Sequence, residues 1–220
     1  MSSKTTILAV RAALSAARMG TYEAEKGVTS DDDPSALELY AWNAQVSAAL
    51  MAPLHICEVV VRNSIADALT TKYGSSWPWT PAFELSLPNP AVGYSPRRDL
   101  ISVRSKHHTT GKVIPELKFA FWQRMFTQRF DGRLWNTQLK TVMPNLNPAK
   151  SVSQLRQEIY DDLEEIRRLR NRIAHHEPIF SRNLVADLQK IESLVTFRCS
   201  TTAGWMSANQ QAGALIAACP

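Results

Sequence analysis

The sequence predicts an all-α fold, on three observations. Apolar residues recur at spacings of three and four along most of the 220 positions. Sustained apolar–polar alternation bounded by Asn-Gly or Asp-Gly turns, the mark of a strand, is missing. One long segment, 151–176, sets Leu155, Ile159, Leu163, Ile166 and Ile173 on a single stripe, as an amphipathic helix requires.

Bulk properties bound the problem. With 45% apolar residues the chain can bury a core, and its length suits one domain spanning 1–220. No uninterrupted run of eighteen apolar residues occurs, so no membrane-spanning helix is expected. Near the start, the apolar stretch 7–17 is broken by Arg11 and followed by Arg18 rather than by a small-residue cleavage site. That pattern fits an amphipathic helix better than a secretory leader, and the expected location is cytoplasmic. Cys57, Cys199 and Cys219 are odd in number and form no CxxC pair, which argues against a disulfide framework or a thiolate metal site. The net charge of +5 and pI near 9.2 permit contact with nucleic acid, but suit a plain basic surface as well.

The elements follow in order. Residues 4–19 predict a short helix ending near Gly20, and EAEKGVTSDDDP a polar loop in which Asp33 caps the next helix and Pro34 occupies its first turn. The next helix runs over 35–51, through Leu37, Tyr40, Val46 and Leu50, before Pro53 breaks or kinks the chain. The pattern resumes over 54–73 through Val61, Ile65 and Leu69 and stops at Gly74. Residues 75–95 are proline-rich and predict an irregular surface connection. A basic helix from Pro96 carries Arg97, Arg98, Arg104 and Lys106. Segment 113–130 follows, dense in Phe119, Phe121, Trp122, Met125 and Phe126, which suits core packing more than base stacking. Further helices cover 134–142, 151–176 and 183–197, and the tail, 200–220, is weakly patterned.

Chemistry concentrates at the end of the long helix, in RRLRNRIAHHEPIF, 167–180. Pro178 has no amide proton and disfavours helix at Glu177, so this helix should end close to His175 and His176. Three readings compete there. Adjacent histidines project about 100° apart and do not chelate one ion as an i,i+4 pair does, while neighbouring arginines repel a cation. No metal and no cofactor are therefore expected. A structural reading makes the arginines partners of the helix dipole and the histidines caps. A catalytic reading is metal-free RNA cleavage, which deprotonates a ribose 2′-OH, stabilises a pentacoordinate phosphorus and protonates the departing 5′-oxygen. Imidazole suits the proton steps because both its forms coexist near neutrality. Guanidinium suits the charge, since it pairs with phosphate oxygens and stays protonated.

Spacing alone does not choose between them. Sixteen arginines and five histidines predict about one Arg–His match with four to six intervening residues by chance. The chain has three overlapping ones: Arg170 with His175, Arg170 with His176, and Arg168 with His175.

The longer string carries more weight. Arg170, Asn171 and His175 form R-N-x-x-x-H, and LRNRIAHHEPIF resembles the closing motif of the Abi-like (abortive-infection-related) proteins of the HEPN superfamily. Residues 39–69 resemble that family's early helical pair, with an E-x-x-x-R-N element at Glu58, Arg62 and Asn63; 111–122 and 133–145 resemble its middle section. The resemblance implies a HEPN-like helical bundle with additional peripheral helices and, in active members, a metal-independent endoribonuclease working as a dimer. It transfers catalysis to Arg170 and His175. Supporting roles fall to Asn171, which would orient His175 or contact phosphate, and to Glu58 and Arg62, which would brace the pair. His176 has no assigned role and competes with His175 as proton carrier. Arg97, Arg98, Arg104 and Lys106 would guide RNA. On an ideal helix Arg170 and His175 diverge by about 140°, so two helix ends meeting across a twofold axis would assemble a site more readily than one. Expected partners are RNA, a second copy, and an antitoxin or regulatory protein, with no membrane. The alternative is a non-catalytic HEPN module that binds RNA or a protein.

Overall fold

A computed structural model describes residues 3–220, and these form twelve α-helices and no strand. The all-α expectation holds.

The first two helices meet at Ser15 rather than ending at Gly20. Helix α1 spans Lys4–Leu14 and α2 spans Ala16–Lys26. Ser15 sits at φ +76° and its side chain caps α2 by accepting the Arg18 N–H. Met19 and Tyr22 are buried on either side of Gly20, and their packing carries the helix across that glycine. The stop comes at Gly27, where a left-handed residue (φ +62°) closes the helix.

Helix α3, Ser35–Tyr73, is the spine of the molecule. Asp33 Oδ1 accepts the Ser35 N–H at 2.9 Å, as the cap reading requires. Of the break or kink expected at Pro53, the break does not occur. A proline inside a helix costs about 3 kcal/mol through a lost hydrogen bond and a ring clash. Here Leu50, Leu54, Cys57 and Val61 are buried on both sides of it, so burial of the two halves outweighs the local cost. By length and composition α3 passes as a candidate membrane span, with an 18-residue window of mean hydropathy 1.5. A strict run count misses it because Asn43, Ser47 and His55 interrupt the apolar residues. In the fold its apolar side packs on α2, α9 and α10 and on the C-terminal helices.

Residues 75–95 are an irregular surface connection only in their second half, 87–95, where 89–93 are exposed. A 3-10 turn, Trp77–Trp79, leads into α4, Pro81–Ser86. Trp77, Phe83 and Leu87 are buried, with Trp77 edge-on to Phe83 at 5.3 Å. The prolines open these turns, where a missing N–H costs nothing, instead of excluding helix.

The middle section is also more broken than expected. It comprises α5 (Pro96–Arg104), α6 (Thr110–Glu116), α7 (Phe119–Arg124), a π-helical turn Asp131–Trp135 and α8 (Asn136–Val142). Phe121, Trp122, Phe126 and Phe130 are core residues, and Phe126 stacks on Trp135 at 4.6 Å. The core reading of these aromatics therefore stands.

Helix α9, Val152–Ala174, begins with a capping box between Ser151 and Gln154. It turns its stripe of Leu155, Ile159, Leu163, Ile166 and Ile173 inward. Helix α10, Leu184–Arg198, lies against α3 and α9. The weakly patterned tail forms α11, Ser200–Ala208, and α12, Ala212–Ala217, which bury Ala203, Met206 and Ala212. Trp42 on α3 donates its indole N–H to the Leu215 carbonyl at 2.7 Å, tying α12 down.

Candidate functional site

The C-terminal turn of α9 is built by backbone geometry. Three N–H groups close it: His175 on the Asn171 carbonyl at 3.0 Å, His176 on Ile173 at 3.0 Å and Glu177 on Arg172 at 2.8 Å. The last two form a Schellman pair, which needs a left-handed residue after the cap. His176 fills that position at φ +55°, where glycine is the usual choice. Arg172 secures the exit, donating from Nε and Nη2 to the Pro178 carbonyl at 3.0 and 2.7 Å. From α2, Arg18 donates to the His176 carbonyl. The expected helix end at His175 and His176 is where the structure has it.

The four arginines of this segment divide by what they hold. Arg167 and Arg168 both bond Glu164, at 2.8 and 3.0 Å, and Gln123 reaches the same carboxylate at 2.7 Å. The Arg167 guanidinium, more than any other neighbour, pulls the Glu164 pKa down to about 2. Arg172 serves the turn. The Arg170 side chain makes no hydrogen bond among the described residues; its Nε faces Glu58 Oε2 at 3.4 Å, and it is 40% exposed.

Glu58 is shared. Its second oxygen pairs with Arg62, one turn further along α3, and Arg62 also donates to the Pro115 carbonyl at 3.3 Å. The sequence allows an intrahelical Glu58–Arg62 pair, and it forms, but it also reaches across to α9. Two guanidinium groups thus meet at one carboxylate. Arg62 Nε is buried without a hydrogen-bond partner among the described residues, and burial first, then the Arg170 charge, pulls the Arg62 pKa below its ordinary value. The cluster carries an excess of one positive charge, which an anion would neutralise.

Two cavities flank the cluster. One of 400 Å³ is lined by four cations, Arg62, Lys118, Arg167 and Arg170, against one acid, Glu116, with Phe119 and Asn171 also on its wall. The other, 220 Å³, is lined by Met51, His55, Glu58, Val59, Arg62 and Arg170. Lys118, Arg167 and His55 join the site without having been singled out from sequence. His55 had a readable signal, since it lies three residues before Glu58 and seven before Arg62, on the same helix face.

The structure brings together Glu58, Arg62, Arg170 and Asn171. It does not bring His175 to them: His175 is exposed and lines neither cavity. Asn171 gives His175 a backbone carbonyl, with no side-chain bond between them. His176 faces a third cavity between α2, α3 and α9.

The basic helix α5 is largely committed to structure. Arg97 donates to the carbonyls of Leu85 and Leu87, Arg98 to Asn89 and to the Gly93 carbonyl, and Arg104 to the Pro78 carbonyl and Glu84. Their long side chains hold the 75–95 segment in place. Lys106 is the one of the four whose side chain makes no hydrogen bond among the described residues; only its backbone N–H bonds, to the Val103 carbonyl. No group of three His, Cys, Asp or Glu side chains among the described residues is placed to hold a metal ion.

Compared with known proteins, the chain matches no family model, and no curated protein or solved structure matches it significantly.

Proposed function

We propose that this chain is a metal-independent endoribonuclease of the HEPN, abortive-infection type, which cuts RNA at a site shared by two copies. The observation that carries the reading is the meeting of Arg62 and Arg170 at the single carboxylate of Glu58. Two sequence elements far apart in the chain, E-x-x-x-R-N and R-N-x-x-x-H, are joined there, and the join leaves a cationic cavity sized for a phosphodiester.

In this mechanism Arg170, held by Glu58, binds the non-bridging oxygens of the scissile phosphate and offsets the charge that grows on them. The His175 imidazole of one copy takes the proton from the ribose 2′-OH. O2′ bonds to phosphorus, the P–O5′ bond breaks, and the His175 of the second copy, in its imidazolium form, protonates O5′. The products are a 2′,3′-cyclic phosphate and a free 5′-hydroxyl. Placement of Arg170 and His175 on different sides of the α9 terminus favours two copies over one. Asn171, on the cavity wall beside Arg170, contacts phosphate in this reading. The protein acts in the cytoplasm as an antiviral or toxin-like nuclease restrained by an antitoxin or a regulatory partner.

Purified protein tests it directly. Cleavage of single-stranded RNA in EDTA, with cyclic phosphate ends and DNA spared, is the expected result. Arg170→Ala or His175→Ala should lower the rate by at least about a hundredfold, the usual worth of a charge-stabilising donor in the first case and of a proton-transfer group in the second. Cleavage abolished by EDTA contradicts the mechanism, and full activity in His175→Ala removes that residue from it. In cells, growth arrest on induction should disappear in both variants.

A second reading is a HEPN module that binds RNA or a protein without chemistry. It is favoured by the His175 ring, which no side chain among the described residues orients by a hydrogen bond. That reading expects salt-dependent RNA affinity, unchanged in His175→Ala, and no cleavage product at any enzyme concentration.

A further inference from the structure

Helix α3 keeps an apolar face that the fold leaves bare. Of its 18-residue window with mean hydropathy 1.5, only 33% is buried. Ala44, Ala48, Met51, Ala52, His55 and Val59 are all exposed, Met51 and Val59 at 43% and 40%. At about 100° per residue these six fall within one arc of about 100°, along roughly four turns. None of them is a Lys, Arg, Asp or Glu. Single exposed apolar residues need no explanation, but apolar residues gathered in a stripe mark an interaction surface.

The stripe consists of two rows at i,i+4 spacing: a small one, Ala44, Ala48 and Ala52, and a large one, Met51, His55 and Val59. A twofold axis midway between residues 51 and 52 brings a second α3 antiparallel to the first. Each row then meets the other row of the second copy: Ala44 the partner's Val59, Ala48 the partner's His55, and Ala52 the partner's Met51. All three pairs set a large side chain on an alanine, so the ridge of each copy fills the trough of the other. The face is complementary to itself, which a twofold contact requires and an unrelated partner does not. Helices that lie on lipid present large apolar and aromatic residues with Lys and Arg beside them, whereas half of this stripe is alanine.

We infer that two copies of this chain associate through residues 44–59 of α3, the small row of each against the large row of the other. A strip about 24 Å long and about 10 Å wide is less than the roughly 800 Å² a side that a stable interface buries, so flanking surface takes part. On one flank that surface is the last turn of α9. Ala44 and Ala48 share a cavity wall with Ile173 and His176, and Met51, His55 and Val59 share another with Arg170. Within one copy, His175 lines neither cavity that Arg170 does. The α3 contact draws two α9 ends, each with its Arg170 and His175, towards one twofold axis. The contact itself rests on α3 alone; the sharing of a site across it rests on the ribonuclease reading, which it deepens.

Sedimentation velocity of the full chain at micromolar concentrations tests the interface, with twice the 24.6 kDa of one chain as the expected mass. Ala48→Lys and His55→Glu each put an unpaired charge into the apolar contact, and each should weaken association by at least about a hundredfold. Helicity by circular dichroism should not change, since both positions are exposed in a single copy. The double variant Ala48→Lys/His55→Glu should recover the dimer, because position 48 of one copy faces position 55 of the other and the two charges pair. A chain that stays monomeric, a dimer that both single variants leave intact, or a double variant no better than the singles overturns the proposal. So does a monomer that binds vesicles of phosphatidylcholine and phosphatidylglycerol and loses that binding in His55→Glu, which assigns the stripe to a membrane. A dimer disrupted by the single variants that cleaves no RNA keeps the interface and removes the nuclease. Cleavage retained by a monomeric variant keeps the interface and removes the shared site.

Discussion

At the scale of single residues, charge and backbone strain are both placed at the end of α9. His176 holds a left-handed conformation (φ +55°) that an L-residue other than glycine adopts at a cost. His176→Gly should therefore stabilise the fold by about 1 kcal/mol, the left-handed penalty less the extra unfolded-state freedom of glycine. Urea unfolding measures this, and a loss of stability would mean that the imidazole itself supports the turn. His176 also lies on the wall of the cavity between α2, α3 and α9. Cys57 shows the opposite, inert case: burial pushes its thiol up to about 12, so alkylation at neutral pH should spare it until the protein unfolds.

At the scale of elements, α9 is held by its carboxylates as much as by its apolar stripe. Glu164 joins α9 to α7 through Gln123 while neutralising Arg167 and Arg168. Its pKa falls from an ordinary 4.5 to about 2, with the Arg167 hydrogen bond as the largest cause. The resulting stabilisation is complete above pH 4.5 and fades as acid lowers the pH towards 2. Glu164→Gln should cost about 1–2 kcal/mol at neutral pH, since charge-assisted bonds of a partly buried group exceed those of an exposed pair. The gap between variant and wild type should close as the pH approaches 2 to 3, near the folded carboxyl's own titration. A gap independent of pH would show that shape rather than charge is what Glu164 contributes.

At the scale of the whole molecule, one continuous core runs from Met19 to Ala212, and the tail is part of it. Removing residues 200–220 deletes the buried side chains of Ala203, Met206 and Ala212 and strips the Trp42 indole of its acceptor at Leu215. Each kcal/mol lost shifts the melting temperature of a chain this size by about 2–4 °C, and a buried Met alone is worth about 2–5 kcal/mol. The truncated chain should thus melt at least about 10 °C lower, by differential scanning fluorimetry. An unchanged transition would mean that α11 and α12 sit on a core that is complete without them.

The sequence by itself determined what periodicity and local chemistry can express. The helical class, the capped start of α3, the inward stripe of α9 and its stop before Pro178 are all set by residues within a few positions of one another. Glu58 and Arg62 were legible as a pair because four residues place them on one helix face, and Arg170 and Asn171 were legible through the resemblance of the R-N-x-x-x-H string. Tertiary structure alone decided the rest, because burial pools contributions from residues distant in sequence and overrides local preference. It carried α3 through Pro53, folded the proline-rich 75–95 segment under Trp77 and Phe83, and committed Arg97, Arg98 and Arg104 to backbone carbonyls. The joining of Glu58 to Arg170 and the cavity between α2, α3 and α9 belong to the same class: charges and cavities that exist only where separate helices meet.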